Sequence, residues 1–341
     1  MTITETIRGT GTRSLYCPGQ DLDFINHLIE MVDQAQTALC ISSFLIQQNA
    51  FSESVLKAAR RGVQVYLLTS LREGISTPDD ELSEVEREHI QDHLNFLHKA
   101  KNEILIRLSE SFHAKYLLID PKSLQAQGML MTCNMTTDPM TGGNIELASM
   151  MQPGEIRSAF AHFVSGFWNV ATHEYLNNSE LSPKKNTPDS IRFGEVGIPA
   201  TSSDVTTIRK NLISLIKTAE YELFLSSWSF DEHHDVSRSC MEALDRSVKI
   251  MVFTRPSDRN LSFLTCLKKA GADVFCHSRL HAKFLIADRK RGMIMTSNFT
   301  SLGLDSGFEL GLELDKNDST ALYHIMDQIS GIMTPFRVLE G

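Results

Sequence analysis

The sequence predicts an α/β protein of two pseudo-two-fold-related halves, each a mixed sheet flanked by helices. Three observations carry this prediction. Apolar runs of strand length, rich in β-branched residues, alternate with helical periodicity along the chain. A set of landmarks in the first half recurs in the same order in the second, which points to duplication of one large unit. Between the two sets lies NNSELSPKKNTPDS (177–190), a polar stretch with two prolines that reads as a linker. The division expected is a half over 1–178, a linker over 179–190 and a half over 191–341.

The elements follow in order. FINHLIEMVDQAQTALCISSF reads as a helix feeding a strand that ends at Ser42-Ser43, and IRKNLISLIKTAEYELFLSSW repeats it, ending at Ser226-Ser227. Second strands follow at 62–70 (GVQVYLLTS) and 247–255 (SVKIMVFTR). Only the first half then carries the acidic, helical-looking stretch 74–100, which reads as an insertion. HAKYLLID (113–120) is matched by HAKFLIAD (281–288), MTCN (131–134) by MTSN (295–298), and IELASMM (145–151) by FELGLEL (308–314). Each half closes on an apolar helix, SAFAHFVSGFWNVA and STALYHIMDQISGIM.

Composition excludes several classes. With 341 residues, 42% of them hydrophobic, the chain can bury a core or two, so disorder and fibrous folds fit poorly. Its longest apolar stretches fall far short of the roughly 20 residues of a membrane span. Residues 1–16 lack the apolar core of a signal peptide, so a cytoplasmic location is expected. The six cysteines are scattered without a C-x-x-C pair, which argues against a zinc cluster or redox pair. A net charge of −9 offers no global attraction for polyanions, so an anionic substrate needs a local site.

The chemistry lies in the repeated HAK segments. Read as strand residues, His113 and Lys115 share one face, as do His281 and Lys283. An imidazole and an ammonium beside an apolar run are odd, because burying a cation without a partner is costly. H-x-K-x4-D occurring twice, each followed by an Asn and later a Glu, resembles the phospholipase D superfamily. Asn298 follows Asp288 by 10 residues, as the family pattern H-x-K-x4-D-x6-G-S-x-N has it; Asn134 follows Asp120 by 14, so the first half carries four extra residues. Met131-Thr132 and Met295-Thr296 stand where the pattern has Gly-Ser.

The resemblance implies a phosphodiester chemistry that needs no metal or other cofactor, with the active site at the interface of the halves. One histidine attacks phosphorus to give a phosphohistidine and the other serves as acid and then base; His113 is assigned to attack and His281 to proton transfer. Lys115 and Lys283 supply positive charge, and Asn134, Asn298, Thr132 and Thr296 supply hydrogen bonds to phosphate. Glu146 and Glu309 are the candidates to fix the histidine tautomers, each following the histidine of its own half, by 33 and 28 residues. Asp120 and Asp288 are read as structural, closing the strand ends. The serine pairs either line the cleft or cap a turn, and Arg289-Lys290-Arg291 reads as a solvated turn.

Three functions compete. SNFTSLGLDSGFELGLEL (297–314) resembles the superfamily's nucleases, which favours a nuclease acting on DNA or RNA, with a partner protein delivering substrate as one answer to the acidic charge. A phospholipase D or phosphatidyl transferase acting on membrane lipid is the alternative. An inactive scaffold is the third, disfavoured because both motifs keep their full residue set. The expected state is a monomer that is internally a pseudo-dimer.

Overall fold

The computed structural model describes residues 3–71, 84–175, 181–184 and 197–337. Among them the first sheet comprises β1 (Ile7–Thr10), β2 (Ser14–Cys17), β3 (Ala38–Ser43), β4 (Gln64–Ser70), β5 (Leu105–Ser109), β6 (Tyr116–Ile119), β7 (Gln127–Met131), β8 (Ala148–Met150), β9 (His173–Tyr175) and β10 (Leu181–Pro183). The second comprises β11 (Ala200–Ser202), β12 (Val205–Thr206), β13 (Glu222–Ser227), β14 (Lys249–Thr254), β15 (Asp273–Cys276), β16 (Phe284–Ala287), β17 (Arg291–Met295), β18 (Glu309–Leu314) and β19 (Thr334–Pro335). Their cores have one topology: β2-β8-β7-β6-β3-β4-β5-β9 in the first and β11-β18-β17-β16-β13-β14-β15-β19 in the second. In each, the central strand runs parallel to one neighbour and antiparallel to the other (β3 with β4 and β6; β13 with β14 and β16), so both sheets are mixed.

Helices cover both faces of each sheet. On the outer face of the first, α1 (Asp23–Asp33), α2 (Ala50–Arg60) and α3 (Glu84–Ala100) bury Leu28, Phe51 and Phe96 against Ile41 and Leu67. On the outer face of the second, α6 (Thr207–Thr218), α7 (Asp235–Asp245) and α8 (Asp258–Lys269) do the same with Leu212, Val236 and Phe263. Between the sheets lie α5 (Pro153–Ser165) and α9 (Lys316–Ser330); α4 (Thr137–Met140) is a single turn after the first Asn. One central core joins Tyr116, Leu118 and Leu130 of the first sheet to Phe284, Ile286 and Ile294 of the second through Phe163, Leu322 and Ile325 of these helices. Each such side chain taken from water contributes about 1.5–3 kcal/mol, so the sheets are held by the same force that folds each of them. Gly166, at the end of α5, lets Phe308 approach so closely that a Cβ would lie 2.6 Å from its ring. Arg13 adds a polar clamp across the core, reaching Asp318 at the start of α9 (2.8 Å) and Glu155 at the start of α5 (2.9 Å).

Two boundaries move. Within the expected linker, Leu181–Pro183 pairs with β9 as the edge strand β10, because a polar strand with proline suits a sheet edge; 176–180 and 185–196 lie outside the described residues. In the stretch read as an insertion, residues 84–100 form α3, which lies between β4 and β5 as α8 lies between β14 and β15. The helix is therefore a shared element, 17 residues long against 12 in α8, and the rest of the extra length falls before it, where 72–83 lie outside the described residues.

Candidate active site

The HAK segments do not lie on regular strand. β6 begins at Tyr116 and β16 at Phe284, each one residue after the lysine. The reason is a backbone exchange between halves: His113 and Ala114 both donate their N–H to Phe308 O (3.2 and 2.8 Å), and His281 and Ala282 both donate to Ile145 O (2.9 and 2.9 Å). Phe308 and Ile145 return N–H bonds to Ser111 O and Arg279 O (both 2.8 Å). Each histidine is thus pinned beside the residue that precedes the other half's glutamate.

This sets the geometry of the site. His113 Nδ1 lies 2.7 Å from Glu309 Oε1, and His281 Nδ1 lies 2.8 and 3.0 Å from the two carboxylate oxygens of Glu146. The expectation that each glutamate serves its own histidine is corrected: the pairs cross the interface, because it is the opposite half's strand that runs beside the HAK segment. Among the described residues neither Nε2 has a hydrogen-bond partner, and the imidazole side chains are 26% and 14% exposed.

The threonines also differ from expectation. Thr132 Oγ1 donates to Glu146 Oε2 (2.6 Å), and Thr296 Oγ1 donates to Glu309 Oε2. Both are fully buried, so their hydroxyls hold the glutamates and do not face a phosphate. Lys115 and Lys283 are fully buried too, each donating from Nζ to the carbonyl of its own histidine, at 2.7 Å for Lys283. Asn134 and Asn298 stand half-buried at the ends of the following loops. Asn298 Oδ1 accepts from Ser227 Oγ (3.4 Å), whereas Asn134 Oδ1 is buried without a partner among the described residues.

The remaining motif residues build the frame. Asp120 takes the backbone N–H groups of Gln36, Thr37 and Ala38 (2.7–2.9 Å), and Asp288 those of Glu220, Tyr221 and Glu222 (2.8–3.0 Å). Both have positive φ (45° and 53°), a conformation that Asp tolerates better than most residues. The second serine of each pair caps the following turn, Ser43 Oγ donating to Leu45 O (2.5 Å) and Ser227 Oγ donating to Ser229 O (2.7 Å) and accepting Ser229 N–H (3.3 Å). Ser42 and Ser226 donate to the carbonyls of Ala114 and Ala282 (2.9 and 2.8 Å), while the Oγ of Ser43 and Ser227 receives the N–H after each Asn, from Met135 and Phe299 (3.0 and 3.2 Å).

Protonation follows from burial and neighbours. Burial works to raise Glu146 and Glu309, but histidine, lysine and threonine partners outweigh it and hold both below the usual carboxylate range. Burial lowers both imidazoles against the opposing pull of the carboxylates, His281 to about 4. Neutral imidazoles donating Nδ1–H to ionised glutamates satisfy both shifts and leave each Nε2 as a lone pair. Burial likewise brings Lys115 to about 8 and Lys283 to about 7. An arriving anion favours the protonated form of all four groups.

Three residues at the rim were not singled out from the sequence. Phe44 and Trp228 follow the serine pairs and stand with ring centroids 5.4 Å from His113 and 6.0 Å from His281. Arg255, just past β14, lies 5.6 Å from the Trp228 ring centroid. The signal was present: an aromatic residue follows the serine pair in both copies.

Two halves of one topology that share a paired His-Lys-Asn-Glu site define a class of bilobal proteins. The sequence profile of the family described as "Cardiolipin synthase, PLD-like domain" matches residues 28–168 and 212–330, and the chain belongs to this family, within the phospholipase D superfamily. A comparison with curated protein sequences finds no match. Among solved structures, the phosphatidylserine synthase of Haemophilus influenzae Rd KW20 is similar over 97% of this chain and 89% of its own, at 11% identity and a TM-score of 0.64. The polyphosphate kinase of Porphyromonas gingivalis is similar over 90% of this chain and 44% of its own, at 14% identity and a TM-score of 0.58. At such identities these likenesses speak for the fold. Among the described residues no helix is long and apolar enough to cross a membrane.

Proposed function

We propose that the protein is a phosphodiesterase acting through a phosphohistidine, and that its substrate is nucleic acid. The observation that carries the chemistry is the crossed pair of Nδ1–glutamate hydrogen bonds, which leaves two neutral Nε2 atoms without hydrogen-bond partners among the described residues, with Lys115 and Lys283 close enough to act on both histidines. His113, the more exposed, attacks phosphorus through Nε2. His281, held by both oxygens of Glu146, protonates the leaving oxygen as the P–O bond breaks. His281 Nε2 takes up this proton from solvent as the substrate anion arrives, the negative charge of the anion stabilising the imidazolium. In the second step His281 takes a proton from water, the water oxygen attacks phosphorus, and the P–N bond breaks to return the pair to His113. Lys115 and Lys283 offset the charge that builds on the phosphoryl oxygens. None of these steps calls for a metal.

The nucleic-acid reading is supported by the resemblance of residues 297–314 to superfamily nucleases and by Phe44 and Trp228 beside the two histidines, where bases can stack. The description of the matched family favours a second reading, phosphatidyl transfer on membrane lipid. One panel in EDTA separates them: single- and double-stranded DNA, RNA, a generic phosphodiester, and phospholipid vesicles. Cleavage of nucleic acid is expected; lipid turnover without it overturns the nuclease reading. No turnover and no trapped phosphohistidine would leave a scaffold.

A further inference from the structure

The two rims of the site are not equivalent. Register places Thr69 opposite Ser43 and Thr254 opposite Ser227, so Ser70 and Arg255 occupy matching positions. Ser70 turns back and donates its hydroxyl to Phe44 O (2.7 Å). Arg255 instead underlies Trp228, its Nε donating to Leu280 O (3.2 Å), the residue before His281. No carboxylate pairs with this half-buried guanidinium among the described residues, although its charge is felt by Glu146 and Lys283.

The pair is also pre-organised. Asn260, fully buried at the start of α8, donates from Nδ2 to Trp228 O (2.7 Å) and Arg255 O (3.3 Å) and accepts Phe230 N–H (3.1 Å). An indole 37% exposed, on a backbone held at Trp228 and Arg255 by Asn260 and lying over a guanidinium without a carboxylate partner among the described residues, is a platform for an aromatic ring followed by an anion.

Resting on the nuclease reading, we infer that Trp228 and Arg255 form a subsite for the nucleotide on the leaving side of the scissile bond, Trp228 stacking its base and Arg255 taking the next phosphate. The cation beside Phe44 is Lys115, 5.7 Å from its ring centroid and fully buried among the motif residues, and Ser70 adds none, so among the described residues only the Trp228 rim has a cation outside the motif, and the substrate binds in one polarity. In a chain of net charge −9 this local cation also supplies attraction that the whole surface does not.

The test uses three thymidine dinucleotides: one with the bridging phosphate alone, one with an added 5′-phosphate and one with an added 3′-phosphate. Wild-type protein should cleave one of the two phosphorylated forms with kcat/KM about tenfold or more above the bare dinucleotide, the worth of a charge-assisted contact. Arg255→Gln should bring that ratio to near one, and Arg255→Lys should restore part of it; thermal unfolding establishes that each variant is folded. Equal cleavage of all three by wild type, or a ratio that survives Arg255→Gln in a folded variant, overturns the subsite. No cleavage of any nucleic acid while a generic diester or phospholipid vesicle is turned over overturns the nuclease reading, and the subsite with it.

Discussion

The two halves share a topology but surround their histidines differently. In the first, Asn134 follows Asp120 by 14 residues, Phe44 is braced by Ser70, and its histidine is the more exposed. In the second, Asn298 follows Asp288 by 10, Trp228 lies over Arg255, and its histidine is gripped by both oxygens of the partner glutamate. The backbone exchange between them is symmetric, each HAK segment leaning on the residue before the opposite glutamate. The lesson is that the two copies share what positions the imidazoles and differ at the rim and in the protonation environment, the difference on which the proposed division of roles rests.

The largest effect should come from the histidines. His113→Ala and His281→Ala should each lower turnover by about 10⁴-fold or more. With a 4-nitrophenyl diester, whose leaving group needs little acid help, His281→Ala should still accumulate phosphohistidine and His113→Ala should not. The reverse pattern, read by mass spectrometry of trapped protein, would exchange the two roles.

Next in size are the glutamates, where crossing is tested directly. Glu309→Gln and Glu146→Gln should each cost about 10²–10⁴ in kcat, by loss of the correct tautomer. Histidine NMR should show Glu309→Gln moving the signals of His113 far more than those of His281. Movement mainly at His281 would restore pairing within each half.

Acid should weaken the fold, and chiefly through the first half. Burial lowers His93 to about 4, His162 to about 3 and, in the second half, His281 to about 4. Below the unfolded value near 6.5 the unfolded chain takes up protons that the native histidines refuse. The contribution of these histidines is therefore full above about pH 6.5 and falls as pH drops toward 4, by up to about 1.4 kcal/mol per pH unit for each group. Urea unfolding at pH 7.5 and 5.0 measures this, and His162→Phe should make the loss shallower. A pH-independent stability would show that these imidazoles are not held neutral.

The smallest effect compares the two strand closures. Asp120→Ala leaves three backbone donors without their carboxylate and puts alanine at positive φ, and a cost of about 3 kcal/mol is expected. Asp288 is less buried, so Asp288→Ala should cost about 2 kcal/mol. Chemical denaturation reads both. A loss of turnover in either variant without a loss of stability would place that aspartate in the chemistry.

Much of this was legible in the sequence, and the gaps have physical causes. The two-half α/β fold could be read because strand and helix periodicities are local properties and the repeat made every reading twice. The His-Lys pairs could be read because charge beside an apolar run is costly to bury and therefore informative, and the Asp, Asn and Glu members because the doubled pattern resembles a known superfamily. The pairing of Glu309 with His113 could not, since a separation of 196 positions says nothing of which half a side chain faces. Nor could the role of Thr132 and Thr296, whose hydroxyls suit a phosphate or a carboxylate equally until burial decides. Sequence taken alone thus determined the duplicated architecture and the groups available for chemistry. Only the tertiary structure, through backbone hydrogen bonds exchanged across one shared core, decided which carboxylate serves which imidazole, and placed Trp228 and Arg255 beside one of them.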